Sequence, residues 1–280
     1  MKAFALPFTE TATDEEEVVT TVLTEEIRIE DLPGLSHNEA MGLGESQTAA
    51  LLKQLKALSP QDWDKPTDCD RWSVHDIVAH ILGWATVITS PREFVRQAKQ
   101  TRAIRKEFGP KLDAQNEAGV IARRGMSPEQ LITGLEKRSR PFLKVRRRAG
   151  FVGRPIPIYI GSVGRMTLRF LMEQIFTRDY FMHRIDIARA TDRELDIGES
   201  ESRIIADIVR HWARNSKADA RLVLTGPGGG AFVMGSGSTT ITGDAIEFCR
   251  LLAGRGDPAL FEVEGDQRSA DRWLATKVPF

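Results

Sequence analysis

The sequence predicts an α + (α+β) protein, with a helical bundle over residues 44–194 followed by a small α+β domain over residues 195–280. Three observations carry this. A chain of 280 residues exceeds what one hydrophobic core ordinarily organises, so two cores are expected. Apolar residues recur at the helical period through much of the segment ending at Thr191, whereas after Gly198 short runs of β-type residues alternate with glycine turns. With 41 % hydrophobic and 28 % charged residues, the chain has the composition of packed globular structure.

Residues 1–43 read differently. The first forty positions hold ten acidic side chains against Lys2 and Arg28, including the run from Asp14 to Glu17, so a self-repelling, mobile acidic arm is expected. Within it Ile27 and Ile29 alternate with Arg28 and Glu30, the pattern of a short edge strand that Pro33 and Gly34 would end. Such a strand would let the arm dock.

The first helix is expected from Glu45 to about Leu58, where Ala49, Leu51, Leu52, Leu55 and Leu58 keep helical spacing until Ser59 and Pro60. Ser73 and Asp76 have the spacing of a capping box and open a second helix. Its buried side is Val74, Ile77, Ile81, Trp84 and Ile88, and Ser90 and Pro91 close it. Weaker helical patterns cover Pro91 to Phe108 and Ser127 to Val145, and a long helix runs from about Arg165 to Thr191. In the second domain a helix carrying Ile204, Ile208 and Trp212 precedes strands at Ala220–Thr225, Ala231–Met234 and Thr239–Thr242. A helix then starts at Asp244, a strand follows at Leu260–Val263, and a terminal helix begins at Arg268. The stretch from Gly226 to Gly230 lacks a following Lys-Ser/Thr and reads as a hairpin loop, not a phosphate cradle.

Two helices carry polar groups where apolar ones belong. On the long helix Phe176, Tyr180, His183 and Ile187 share a stripe that also contains Asp179. A carboxylate and an imidazole one turn apart can offer an oxygen and a nitrogen to one cation. His80 lies within the apolar arc of the second helix, between Ile77 and Trp84, so a third ligand can come from a neighbouring helix. Two histidines and one carboxylate around Zn²⁺ leave an open position, which is the composition of a catalytic site, and a thiolate suits that position. The plainer alternative is a hydrogen-bonded core histidine and an Asp179–Arg178 ion pair. Asp186, one turn after His183, is placed to accept a hydrogen bond from a ligand imidazole or to pair with Arg184 or Arg189. Arg146, Arg147 and Arg148 read as a solvated helix end, Cys69 as a small buried residue that could approach the metal, and His37, His75 and His211 as ordinary.

The segment from Leu58 through Pro66, Thr67, Asp68 and Cys69 to Trp72 and His80 resembles the start of the mycothiol-dependent maleylpyruvate isomerase family, a DinB-like group of metalloproteins. Asp179 to His183 with Arg184-Ile185-Asp186-Ile187 is a second match, and Ile241 to Ala245 with Leu251 to Arg255 a third. The resemblance implies a DinB-like four-helix bundle, a sterol-carrier-protein-like C-terminal domain, and a divalent metal held by His80, Asp179 and His183. It departs at Asp179, where the isomerase has Glu, one methylene longer. It further implies mycothiol as the thiol cosubstrate, a metal-bound thiolate as nucleophile, and isomerase or S-transferase chemistry on a small electrophile. The alternative is a non-catalytic protein that binds metal or a small ligand on the same fold.

Lys plus Arg and Asp plus Glu both number 39, so no global field favours nucleic acid or an anionic membrane. No run approaches the roughly 18 apolar residues of a membrane span. The 2 cysteines, Cys69 and Cys249, form no disulfide framework, as expected for a cytoplasmic protein.

Overall fold

A computed structural model describes residues 26–153, 156–160 and 164–280. The acidic run from Asp14 to Glu17 lies outside the described residues. The chain divides into two compact units, one of the N-terminal residues through Gly34 together with Asp196–Val278, the other of Leu35–Leu195 with Pro279–Phe280.

The unit holding Leu35–Leu195 is helical. Helix α1 spans His37–Lys56 and begins two turns before the apolar pattern, because Ser36 and Glu39 form a capping box upstream of it. Helix α2, Val74–Thr89, starts at the capping box of Ser73 and Asp76 that the sequence predicts. Helices α3 (Pro91–Phe108) and α5 (Pro128–Val152) each carry proline in the first turn. Between them lies α4, Lys111–Ile121, which the sequence reading passed over. It packs against α2 through small residues, and Gly83 and Gly119 are so close that a Cβ at 83 would stand 3.2 Å from the Gly119 Cα.

The helix expected from Arg165 needs correction. Residues Gly164–Thr167 form strand β3, paired antiparallel with β2, Pro157–Ile160. Helical structure starts with α6, Leu168–Phe170, widens into a π turn over Leu171–Ile175, and continues as α7, Phe176–Thr191. The alternation of Ile158, Tyr159, Arg165 and Met166 on this short hairpin is weaker than the helical pattern following it, which masked the change. Helices α1, α2, α5 and α7 pack on one another around Leu51, Ile77, Ile81, Leu131, Phe142 and Tyr180. Arg146, expected in a solvated run, is instead fully buried.

The other unit holds a mixed five-stranded sheet in the order β1-β5-β4-β6-β7. Strand β1 is Glu26–Arg28, β4 Ala220–Thr225, β5 Gly230–Val233, β6 Thr239–Asp244 and β7 Glu262–Glu264. The strand expected around Ile27 exists and runs parallel to β5, with Ile27 opposite Phe232. Gly226 to Gly229 link β4 and β5 as a hairpin, with Gly226 and Gly228 at positive φ. Helices α8 (Glu199–Ser216), α9 (Ala245–Leu252) and α10 (Gln267–Leu274) complete the unit. Its core is centred on Trp212 and Phe248, whose rings meet edge-on at 5.2 Å. The Trp212 indole donates to the Trp273 carbonyl at 2.9 Å. Among the described residues no helix is long and apolar enough to cross a membrane.

Candidate metal centre

Helices α2 and α7 pack together within the helical unit. The Ser73 cap fixes where α2 begins, and burial of Val74, Ile77 and Ile81 fixes which face turns inward. His80 rides on that face at 4 % exposure. On α7, Phe176, Tyr180 and Ile187 are buried as the stripe requires, and His183 is buried with them.

The structure brings His80, Asp179 and His183 together. Asp179 Oδ1 lies 3.7 Å from His80 Nε2 and 3.4 Å from His183 Nε2. One donor atom from each residue falls within 4.8 Å of the other two. Donors bound about 2.1 Å from a tetrahedral cation stand about 3.4 Å apart, so this spacing fits three ligands of one ion. The side chain of Asp179 is 21 % exposed against 4 % for each histidine, which leaves the carboxylate side open to a further ligand.

The three donors act strongly on one another. Burial disfavours charge on Asp179, but the neighbouring His183 and His80 outweigh it and hold the carboxyl well below the usual range. Burial likewise opposes charge on His183, and it is overcome by Asp179 and by hydrogen bonds to Asp179, Asp186 and Cys69, so that imidazole sits well above its ordinary value. Asp179 is thereby held ionised and His183 protonated, so a divalent ion entering here has the His183 proton to displace.

Asp186 occupies the place expected of an orienting carboxylate. Its Oδ2 lies 2.9 Å from His183 Nδ1, and with Nδ1 as the donor His183 turns Nε2 towards Asp179. Arg189 also pairs with Asp68, and Arg184 donates to Gln47. Both Arg178 and Arg184 are buried. Cys69 is half-buried and approaches the site from the other side, with Sγ 3.6 Å from Asp186 Oδ2.

Two further residues shape the centre and carried no assigned role in the sequence. Trp72 lies against His80, with ring centroids 4.8 Å apart. Its indole donates to buried Glu117 of α4 at 3.1 Å, and Arg124 holds the other Glu117 oxygen at 2.8 Å. The sequence offered Trp72 as a motif residue, but only α4 reveals its anchor. His37 pairs with Glu173 and His75 with the Met126 carbonyl, both away from the triad.

The sequence model for the mycothiol maleylpyruvate isomerase N-terminal domain matches residues 45–188, just over half of the chain and a span containing all three donors. The chain belongs to this family. No curated protein matches it in sequence. Two solved structures with the same fold are the mycothiol-dependent maleylpyruvate isomerase, at 18 % identity, and a histidine-to-alanine mutant of it, at 16 %. Each aligns with a TM-score of 0.52 over 85 % of this chain and 95 % of its own. The likeness therefore extends beyond the segment matched by the mycothiol maleylpyruvate isomerase N-terminal domain, and at these identities it bears on fold alone.

Proposed function

We propose that this chain is a metal-dependent isomerase in which a low-molecular-weight thiol, mycothiol, adds to the conjugated alkene of a small electrophile and leaves again after rotation about the former double bond. The thiol is regenerated, so no oxidant or reductant is consumed. The observation that carries the reading is the convergence of His80, Asp179 and His183 in a member of this family. The same machinery would serve an S-transferase if a leaving group departed in place of the thiol.

When bound, a divalent cation supplies the charge that keeps a coordinated thiol ionised at neutral pH, and Zn²⁺ is the proposed ion, with Ni²⁺ and Mn²⁺ as alternatives. His80 and His183 supply nitrogen donors and Asp179 the anionic oxygen. Asp186 holds the proton on His183 Nδ1, which leaves Nε2 available. Trp72 covers His80 and keeps water from that side. We read the packing of α1, α2, α5 and α7 as a DinB-like four-helix bundle, and the mixed sheet with its helices as sterol-carrier-protein-like. We place the protein in a reducing, cytoplasmic setting, in keeping with its 2 cysteines lying far apart in the sequence.

Mass spectrometry of the metal content of wild type, His80→Ala and His183→Ala, with folding checked by circular dichroism, tests the centre. One ion per chain, lost from both folded variants, is expected. Mycothiol with cis-configured conjugated acids such as maleylpyruvate should then give the trans isomer with no net loss of thiol. A stable thioether would mark an S-transferase, and metal binding without thiol-dependent turnover would mark a binding protein.

A further inference from the structure

We propose that Arg146 is a positioning residue for the metal centre, acting through the π turn that precedes α7; this rests on the metal-site reading above. Arg146 projects from α5 and is fully buried. Phe142 and Phe176 lie against its guanidinium, with ring centroids 5.4 and 5.7 Å from Cζ. Among the described residues no carboxylate lies within ion-pair distance of it, and burial, opposed in part by the more distant charges of Asp179 and Glu173, pushes its pKa down to about 10. A buried cation without an ion-pair partner is expensive, and an apolar side chain of similar volume would ordinarily serve stability better.

Its hydrogen bonds show what the charge does there. The π turn over Leu171–Ile175 carries an extra residue, and carbonyls displaced from the regular ladder need other donors. Arg146 Nε donates to the Met172 carbonyl at 2.7 Å, and Nη2 donates to Thr177 Oγ1 at 2.7 Å and more weakly to the Glu173 carbonyl at 3.4 Å. The Thr177 hydroxyl in turn donates to the Glu173 carbonyl at 2.9 Å. One guanidinium thus ties three points of the π turn and the first turn of α7 to α5. Thr177 stands two residues before Asp179, so the rotation of that turn sets how Asp179 meets His80 on α2. Gly44 on α1 closes the opposite side: a Cβ there would lie 3.0 Å from Arg146 Nη1 and 3.2 Å from both Nη2 and Thr177 Oγ1. The centre therefore depends on a fork of hydrogen bonds behind it that touches none of the ligands.

The test compares Zn²⁺ dissociation constants, by chelator competition, and the visible absorption of Co²⁺-substituted protein in wild type, Thr177→Val, Thr177→Ser and Gly44→Ala. Val is isosteric with Thr and removes only the hydroxyl, while Ser restores it. Gly44→Ala raises helix propensity, so a role confined to helix stability predicts no loss of metal. The expected result is roughly tenfold weaker Zn²⁺ binding and an altered Co²⁺ spectrum in Thr177→Val and Gly44→Ala, with Thr177→Ser like wild type. If wild type binds zinc and loses it in His80→Ala, yet Thr177→Val and Gly44→Ala match wild type in affinity and spectrum, Arg146 does not position the centre and the metal site stands. If wild type binds no zinc, the metal-site reading fails and this proposal with it.

Discussion

Asp186 is fully buried, and its neighbours account for a carboxylate at such a position. It faces His183 Nδ1 at 2.9 Å and Cys69 Sγ at 3.6 Å, and under the proposed function it would orient the His183 ring. Replacing it with Asn keeps the shape and removes the charge; Zn²⁺ affinity should fall by about 10- to 100-fold with the fold retained. Chelator competition measures this directly, and an unchanged affinity would leave Asp186 a helix support. His80, Asp179 and His183 were legible because a helix turns spacing into adjacency, and polar residues on an apolar arc stand out. Arg146 was not legible. Its partners are mainly backbone carbonyls of a turn some thirty residues away, which leave no mark in the local pattern, and within Arg146-Arg147-Arg148 it looks like its solvated neighbours.

At the scale of elements, the π turn sets tight demands on the helix beside it. Glu173, fully buried within the turn, accepts from Arg169 at 2.7 Å and meets His37 at 2.6 Å. Gly150 on α5 leaves room for it, since a Cβ there would stand 2.8 Å from Glu173 Oε1. Gly150→Ala should therefore destabilise the protein by about 1–3 kcal/mol despite its better helix propensity. Gly42 on α1 has nothing within 4 Å of its Cβ position, and Gly42→Ala should stabilise by about 0.5–1 kcal/mol. Urea unfolding of the two variants checks opposite signs for the same substitution. Capped helices such as α2 were legible to the residue because a capping box is a local signal. Helix α4 was hidden for the opposite reason: it packs with Ala114, Ala118 and Gly119, and small residues give no periodic apolar stripe.

For the whole molecule, the sequence order and the structural order differ. Residues Glu26–Gly34 belong with Asp196–Val278, and Leu35–Leu195 come between them in the chain. The N-terminal piece is well held: Leu32 is 2 % exposed, Arg210 donates to its carbonyl at 3.1 Å, and Arg203 donates to that of Pro33 at 2.9 Å. Leu32→Ala should lower the stability of the sheet-bearing unit by about 2–4 kcal/mol, and hydrogen exchange at the amides of β5 should accelerate. Unaltered exchange there would mean that β1 is an ornament on the sheet. The edge strand itself was readable from its alternation, but its partner was not, because register across so many intervening residues is decided by tertiary packing.

That distance has a consequence during synthesis. At about 5–20 residues per second, a nascent β1 waits roughly 10–40 s before Phe232, its neighbour in the sheet, leaves the ribosome. Throughout that interval Ile27 and Leu32 lie in a stretch with no sheet to join, the kind of segment that sticks to other chains. Glu26, Arg28, Glu30 and Asp31 surround them with charge, and so act as gatekeepers that keep the strand soluble until its place exists.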